Sequence, residues 1–262
     1  MHTDCTHLGS GSLGALAIAD SAIEAAVRFE AVTVRYGNGT AIREVDAKIA
    51  LGTLTALIGP NGAGKSTLLN VVMGLKQAAA GRVVLNSRIG QRIAYLPQQS
   101  ALDRSFPIRV MDLVMLGAWD RTYSLGRVSD VDRQRAMDAL SAVGLAGLQH
   151  RSISSLSAGQ FQRALFARLL MQDAQLLLLD EPFNAVDSQT TQDLLAVLKS
   201  WHQEGRTVVA VLHDLEQVRA HFSHTLLLAH RCIACGKTHS VVTAENLSVA
   251  RTMAEQWAAE AA

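Results

Sequence analysis

The feature of this chain that most constrains its fold is a glycine-rich run of eight residues, Gly59-Pro60-Asn61-Gly62-Ala63-Gly64-Lys65-Ser66. A glycine, four further residues and then Gly-Lys-Ser is the pattern of loops that hold phosphate groups between a strand and a helix. The mostly apolar residues 53–58 precede this run, and Leu68, Leu69 and Val72 follow it at helical spacing. The sequence therefore predicts a strand, a phosphate loop and a helix over residues 53–75.

The residue types in this loop indicate what it binds. Glycines let consecutive backbone N–H groups converge on phosphate oxygens at the positive end of the following helix. Lys65 is then placed to reach the β- and γ-phosphates of a nucleotide, and the Ser66 hydroxyl to coordinate Mg²⁺. Thr67 follows in the first turn of the predicted helix. We therefore expect residues 59–67 to bind a nucleotide together with Mg²⁺.

A pair of acidic residues supplies the carboxylates that such a loop requires. Asp180 and Glu181 directly follow Leu176–Leu179, an apolar run with the length of a buried strand. We expect Asp180 to hold Mg²⁺, directly or through water, and Glu181 to orient and polarise the attacking water. Two acids after a strand can also cap the next helix, but the complete phosphate loop upstream favours the catalytic role.

Strands and helices alternate along most of the chain. The predicted strands are short apolar or alternating runs at residues 29–36, 53–58, 82–85, 92–96, 176–179, 207–212 and 225–228. Helices are predicted at residues 66–75, 108–119, 129–143, 188–204, after Ser157 and after Asp214. This alternation predicts an α/β core with a mostly parallel sheet covered on both faces. A helical insertion interrupts the core at about residues 98–170, and we expect Arg163 and Arg168 to face outwards from its last helix.

Composition places the chain among globular proteins. Its 262 residues are 49% apolar and 18% charged, and the net charge of +1 gives no electrostatic case for binding nucleic acid. The apolar runs are far shorter than the roughly 20 residues that cross a bilayer, so we expect any membrane role to come from a partner. Residues 1–25 are expected to form a disordered N-terminal extension, and residues 26–262 a single domain.

A second helix start with phosphate-binding character occurs within Leu156-Ser157-Ala158-Gly159-Gln160. The helix that follows places the Ser157 hydroxyl and the Gly159 backbone at its positive end, which suits a γ-phosphate. One chain does not need two such helix ends for one nucleotide. The sequence therefore predicts that this end serves the nucleotide of a second copy, in a homodimer.

These residues resemble the ATP-binding cassette (ABC) family over about residues 28–250. The family signature is Leu-Ser-Gly-Gly-Gln, and here Ala158 stands at the third position while Ser157, Gly159 and Gln160 are kept. The resemblance implies a P-loop NTPase core, an antiparallel β subdomain near the N-terminus, and a helical insertion that carries the signature. It also implies an ATPase that uses ATP and Mg²⁺.

The resemblance further assigns roles to single residues. Tyr36 matches the aromatic residue that stacks on adenine, and Gln98 matches the glutamine that senses Mg²⁺ and links to a membrane partner. Asp187 matches the acidic residue that contacts the second copy across the dimer. His213 matches the switch histidine on the γ-phosphate, so Glu181, His213 and Gln98 are the expected catalytic residues.

Within the family, several segments resemble importers of zinc and manganese more than transporters of sugars, peptides or drugs. The segments are residues 95–99, 102–110, 160–163 and 243–247. This resemblance implies a subunit that powers uptake of a divalent metal ion, with zinc ahead of manganese. The implied partners are an integral membrane permease and, through it, an extracytoplasmic metal-binding protein, with this chain at the cytoplasmic face of the membrane.

Two other functional classes fit parts of the sequence. A soluble ABC-type ATPase that acts on DNA or ribosomes usually has a long coiled-coil insertion or two tandem cassettes, and neither pattern occurs here. A metal-sensing regulator would use Cys232, Cys235 and His239 as ligands but does not explain a full hydrolytic set. We expect both cysteines to pack as small apolar residues in a hairpin whose turn is made by Gly236.

Overall fold

A computed structural model describes residues 24–37, 39–90, 92–98, 102–119 and 129–261. Of the predicted N-terminal extension, residues 1–23 lie outside this part, and the first strand already begins at Ala25. The strands are β1 (Ala25–Tyr36), β2 (Gly39–Ala50), β3 (Leu54–Ile58), β4 (Ala80–Leu85), β5 (Ile93–Leu96), β6 (Leu176–Leu179), β7 (Thr207–Val211), β8 (His224–Ala229) and β9 (Arg231–Lys237).

The structure has helices on both sides of the predicted insertion as well as inside it. They are α1 (Lys65–Val72), α2 (Val110–Met115), α3 (Asp130–Ala142), α4 (Ala158–Gln172), α5 (Ser188–Gln203), α6 (Leu215–His221), α7 (Thr238–Val241) and α8 (Ala244–Ala261). Short 3₁₀ turns occupy Ser87–Ile89, Leu116–Ala118 and Ile153–Ser155. Among the residues that the structure describes, no helix is both long enough and apolar enough to span a membrane.

The central sheet has six strands in the order β5-β6-β7-β3-β8-β9. All neighbours are parallel except the last pair, β8 and β9. Every residue of β3, β6 and β7 is buried, because helices or the second sheet cover both faces of these strands. The predicted α/β core with a mostly parallel sheet is confirmed.

A separate antiparallel sheet of three strands, in the order β2-β1-β4, is also confirmed. Strand β2 was not predicted from the sequence, because a bulge breaks its alternation. Val32 pairs with Val45 and Val34 with Ile42, so two residues of β2 oppose one of β1. Glu44, within this bulge, has a positive φ of 47°. As a result Ile42 and Val45, three residues apart, are both buried.

The helical insertion is built around α4, which packs against α2 and α3. The expectation that Arg163 and Arg168 face outwards is wrong. An Nη2 atom of Arg163 lies 2.6 Å from Oδ2 of Asp193 on α5, and its other terminal nitrogen donates to the Val143 carbonyl. Arg168 is half-buried, and that burial lowers the pKa of its guanidinium. Arg163 thus links the insertion to α5, and Arg168 is partly withdrawn from solvent.

The β8–β9 hairpin closes the edge of the central sheet. Its turn is made by His230, which lies between Ala229 and Arg231 and has φ of 58°. The prediction of Gly236 as the turn residue is wrong, because Gly236 lies inside β9 opposite Thr225. The Nδ1 atom of His230 lies 2.8 Å from the Ala41 carbonyl on β2, and this bond helps a non-glycine residue to occupy the turn.

Candidate nucleotide site

The predicted site residues converge at the carboxyl ends of four parallel strands. The loops after β3, β5, β6 and β7 line one cavity of about 730 Å³. Its walls include Lys65, Ser66, Gln98, Glu181 and His213. Ligands of open α/β sheets bind beyond the carboxyl ends of the strands, where side chains from several strands meet. The topology therefore explains why residues 150 positions apart share one site.

The loop of residues 59–66 wraps the start of α1. The Lys65 ammonium is buried and donates to the carbonyl oxygens of Gly59 and Pro60, at 2.9 and 2.8 Å. Burial lowers its pKa, and the nearby Glu181 and Asp180 carboxylates act in the opposite direction. Gly64 has a positive φ of 93°, and a Cβ atom there would collide with the side chain of Ile42. This position therefore requires glycine.

Asp180 and Ser66 form the oxygen-rich corner of the site. Asp180 is buried, and its carboxylate is hydrogen-bonded to the side chain of Ser66. Burial raises the pKa of Asp180, and the bond from Ser66 only partly opposes that effect. A buried carboxylate beside a hydroxyl is a donor set that fits Mg²⁺, which prefers oxygen ligands. Two of the three residues expected at the Mg²⁺ site, Ser66 and Asp180, are thus adjacent, and the third, Gln98, is hydrogen-bonded to Glu181.

Glu181 is the most heavily hydrogen-bonded acid of the cavity. Its Oε2 accepts bonds from the Gln98 and Asn184 side-chain amides, at 2.7 and 3.1 Å, and its Oε1 lies 2.7 Å from His213 Nε2. Burial alone raises the pKa of Glu181, but His213, Gln98 and Asn184 outweigh it and hold the pKa below its ordinary value. Glu181 also has φ of 51°, a sparsely populated conformation for a residue with a side chain. The predicted catalytic residues Glu181, His213 and Gln98 therefore form one hydrogen-bonded group.

The signature residues occupy a different place. Ser157 caps α4, its hydroxyl accepting from the N–H of Gln160 at 3.1 Å, while Gln160 Oε1 accepts from the N–H of Ser157. A Cβ atom on Gly159 would lie 3.4 Å from Oδ2 of Asp187, so the signature contacts the loop that follows Glu181. Asp187 itself caps α5 through the N–H of Thr190. None of the four residues predicted to contact a second copy lines the cavity, although the structure describes all of them: Ser157, Gly159, Gln160 and Asp187.

Tyr36 also lies outside the cavity lining, at the end of β1. Its ring is 49% exposed, and the Lys76 ammonium lies 4.3 Å from the ring centroid. Such a cation–π contact orients the ring. An exposed aromatic ring held in this way has the form needed to stack on a planar base.

Sequence reasoning missed two residues that are hydrogen-bonded to Glu181 or to the loop after it. Asn184 lies three residues before Asp187 and was assigned no role from the sequence, yet its side-chain amide donates to Glu181. Gln162 is buried, and its Nε2 donates to the Pro182 carbonyl at 2.7 Å, so it ties the signature helix to the loop after Glu181. An amide five residues after the signature serine, on an otherwise apolar face, was the available signal for Gln162.

The cysteines of β9 lie at the seam between the two sheets. A bulge puts Cys232 opposite Leu228 and Cys235 opposite Leu226, so both thiols share the face that Leu226 and Leu228 present to the antiparallel sheet. The Cys235 thiol donates to the Lys48 carbonyl, and burial raises the pKa of Cys232 to about 12. Among the described residues, no group of three His, Cys, Asp or Glu side chains could hold a metal ion.

This chain is similar in sequence to a known protein family and to proteins of named transport systems. A family model described as ABC transporter matches residues 42–184. The zinc transport system ATP-binding protein TroB of Treponema pallidum is 41% identical over 229 residues, which cover 86% of each chain. The manganese transport system ATP-binding protein MntB of Listeria monocytogenes is 38% identical over 228 residues, covering 86% of this chain and 95% of the relative.

Solved structures of an ABC transporter and of an ATP-binding cassette have the same fold as this chain. One described as an inward-facing conformation of a metal-chelate type ABC transporter superposes with a TM-score of 0.78 at 31% identity, covering 87% of this chain and 90% of that one. A dimeric ATP-binding cassette, MJ0796, in a post-hydrolysis state bound to ADP and Pi, superposes with a TM-score of 0.72 at 27% identity. That match covers 81% of this chain and 98% of the other.

Proposed function

This chain belongs to the ABC transporter family and is an ATPase, and we propose that it powers an importer of a divalent metal ion, with zinc as the first candidate and manganese as the second. The observation that carries the ATPase role is the convergence of the phosphate loop, Glu181 and His213 on one cavity, with Asp180 hydrogen-bonded to Ser66 in its wall. The choice of cargo is supported by relatives named for zinc transport and for manganese transport, at 41% and 38% identity.

The arrangement of Glu181 supports its role in hydrolysis. The carboxylate is held ionised by three donors and can accept a proton from a water molecule that attacks the γ-phosphate. His213 holds the carboxylate in place and would lie close to the γ-phosphate of a bound ATP. Lys65 would exchange its two carbonyl partners for phosphate oxygens. Mg²⁺ held by Ser66 and Asp180 would neutralise charge on the phosphates.

The position of the signature supports a shared site in a homodimer. Ser157, Gly159 and Gln160 stand at the start of a fifteen-residue helix but away from the cavity of their own chain. In the proposed head-to-tail dimer, each nucleotide lies between Lys65 of one copy and Ser157 of the other. Asp187, whose Oδ2 would lie 3.4 Å from a Cβ atom added to Gly159, is proposed to contact the second copy across the dimer. Hydrolysis then separates the two copies.

A partner in the membrane would dock on the helical insertion. Three large apolar side chains are exposed there: Phe106 at 59%, Leu116 at 43% and Trp119 at 56%. All three belong to one segment, residues 106–119, and contiguous exposed apolar side chains mark interaction surfaces. Gln98, which donates to Glu181, stands at the start of this insertion and would link the docking surface to the catalytic carboxylate. We propose an integral membrane permease as this partner, which puts the chain at the cytoplasmic face of the membrane.

An extracytoplasmic metal-binding protein is proposed as the component that delivers the ion to the permease. Selectivity requires ligands along the path of the ion or in such a binding protein. This chain would supply energy alone, so its own substrate is ATP and the metal is the cargo of the assembly.

The test is growth of a strain that lacks this chain, with other metal importers absent. We expect poor growth when zinc is chelated and recovery on addition of Zn²⁺, with complementation by the wild-type chain but not by Glu181→Gln. Selective rescue by Mn²⁺ would assign the manganese alternative. Normal growth under both zinc and manganese starvation would refute the metal proposal while leaving the ATPase assignment intact.

A further inference from the structure

We propose that His230 and Trp257 form a positioning pair that fixes the geometry of the phosphate loop, so that the C-terminal helix α8 sets the affinity of the chain for ATP. His230 makes the turn between β8 and β9, and Trp257 lies near the end of α8. The inference rests on the nucleotide-binding role proposed for residues 59–66. It adds an effect on ATP binding from Trp257, which lies about 190 residues away from this loop in the sequence.

The main chain of His230 contacts the phosphate loop directly. Its N–H donates to the carbonyl oxygen of Ala63 at 3.0 Å. The peptide group is planar and trans, so the N–H of Gly64, in the same peptide unit, points away from that carbonyl. Gly64 lines the cavity. The bond from His230 therefore orients one of the N–H groups that would meet a phosphate oxygen.

The side chain of His230 holds this contact in place. Its φ of 58° is unfavourable for a residue with a Cβ atom, so the turn needs compensation. The ring Nδ1 lies 2.8 Å from the Ala41 carbonyl, and since a carbonyl only accepts, Nδ1 carries the proton. Ala41 packs in turn against Gly64, where an added Cβ would meet its carbonyl. The main chain of His230 thus contacts the loop directly and its side chain contacts it through Ala41, and neither residue lines the cavity.

Trp257 completes the arrangement from α8. Its ring stacks on the His230 imidazole with centroids 4.3 Å apart and planes 4° from parallel. The Arg43 guanidinium lies 4.7 Å from the Trp257 centroid, and the Arg43 N–H donates to the His230 carbonyl at 2.8 Å. Strand β2, the hairpin turn and α8 are therefore joined at one point, immediately behind the phosphate loop.

The chemistry of this cluster indicates an effect on binding rather than on turnover. Neither His230 nor Trp257 lines the cavity, so neither can touch the reacting atoms. A stacked aromatic pair contributes an amount equivalent to roughly two- to twelvefold in an equilibrium constant. Loss of the stack should loosen the turn, free the Ala63–Gly64 peptide and weaken ATP binding within that range. The rate at saturating ATP should stay near that of the wild type.

The experiment measures the Kd for ATP by calorimetry, and KM and kcat for hydrolysis, on the full 262-residue chain. We expect Trp257→Ala to raise Kd and KM by roughly two- to twelvefold with kcat unchanged. Trp257→Phe keeps a stacking ring and should stay within about twofold of the wild type. Gln256→Ala, at an exposed neighbouring position on α8, is the matched control and should change nothing.

His230→Gly gives an independent arm of the test. Glycine keeps the left-handed turn and the N–H that binds Ala63 but removes the ring, so it should weaken ATP binding as Trp257→Ala does. The double variant should bind ATP no more weakly than His230→Gly alone, because that variant already removes the stack. Should Trp257→Ala fail to fold, His230→Gly and Trp257→Leu carry the comparison.

Two results would contradict the proposed role of His230 and Trp257 in ATP binding. One is an unchanged Kd for ATP in folded Trp257→Ala and His230→Gly chains. The other is a lower Tm in both variants with ATP affinity unaffected, which would make the stack merely structural. If the wild-type chain bound no ATP at all, the proposed role of the phosphate loop would fail instead, and the two failures are therefore distinguishable.

Discussion

The Nε2 atom of His213 lies 2.7 Å from Oε1 of Glu181, and these residues follow the neighbouring parallel strands β7 and β6. The pairing counters the cost of burying the carboxylate and, with two amide donors, keeps the pKa of Glu181 below its ordinary value. A carboxylate with a lowered pKa is ionised at neutral pH and can accept a proton from water. This geometry makes the role of Glu181 open to direct tests.

Glu181→Gln should retain ATP binding and lose turnover. The amide keeps the size of the side chain but cannot accept a proton, whereas Lys65 and the loop N–H groups remain. We expect the hydrolysis rate to fall by roughly 10²- to 10⁴-fold and an ATP-bound dimer to accumulate in size-exclusion chromatography. Glu255→Gln, at an exposed position on α8, is the matched control. A Glu181→Gln chain with near wild-type turnover would remove the catalytic assignment.

The acid side of the pH–rate profile should report the contacts of Glu181. Because its pKa is lowered, the carboxylate becomes protonated only below the ordinary value of 4.5, and activity is lost as pH falls through the pKa of the folded chain. Asn184→Ala removes one amide donor from Oε2, so this pKa should rise. We therefore expect the acid limb of kcat/KM to move to higher pH in Asn184→Ala, with rates near pH 7 less affected. Circular dichroism over the same range separates this effect from unfolding, and an unmoved acid limb would contradict the argument.

Asp180→Asn should stabilise the fold while it abolishes hydrolysis. Burial raises the pKa of Asp180, so the folded chain favours the protonated form and loses stability as pH rises through that pKa. At neutral pH an uncharged amide of the same shape removes this cost. We expect the Tm to rise by roughly 2 °C or more, and Mg²⁺-dependent hydrolysis to be lost. Asp138→Asn on the exposed face of α3 should change neither quantity, and a lowered Tm in Asp180→Asn would show that the carboxylate is stabilising.

Local sequence patterns were sufficient to predict the strands and the phosphate loop at the centre of this structure. Strand β6 and the acids that follow it could be predicted because all four of its leucines are buried, which makes the strand a continuous apolar run. The phosphate loop was equally clear, since its positive φ at Gly64 and the close approach of Ile42 leave no room for another residue. Such positions restrict residue type through the backbone itself.

The features that were missed depend on contacts between distant segments. The bulge at Glu44 hides the alternation of β2, and the turn at His230 uses a non-glycine residue stabilised by Ala41, about 190 positions away. The same holds for Arg163, whose guanidinium is drawn inwards by Asp193 on another helix. Sequence periodicity contains no information on such pairs until the elements are packed together.

The shared site can be tested by mixing two inactive chains. Ser157→Arg places a bulky cation at the start of α4, and Lys65→Ala removes the phosphate-binding ammonium, so each homodimer should have two defective sites. A mixed dimer has one intact site, formed by Lys65 of one copy and Ser157 of the other, and one doubly altered site. We expect partial ATPase activity to reappear on mixing, up to about half of the wild-type rate per dimer if one site can act alone. Each variant mixed with itself is the control, and full activity of Ser157→Arg alone would show that the signature does not contact phosphate.

The final prediction concerns Cys232 and Cys235, which we expect to have no part in choosing the transported ion. Metal ligation requires thiolates, but burial raises the pKa of Cys232 to about 12, and the Cys235 thiol is engaged by the Lys48 carbonyl. Chains with both cysteines replaced, either by Ser or by Ala, should therefore restore growth of the deletion strain under zinc or manganese limitation as well as the wild type does. If both replacements failed to restore growth while their Tm and ATPase rates remained normal, the hairpin would instead be a regulatory metal site.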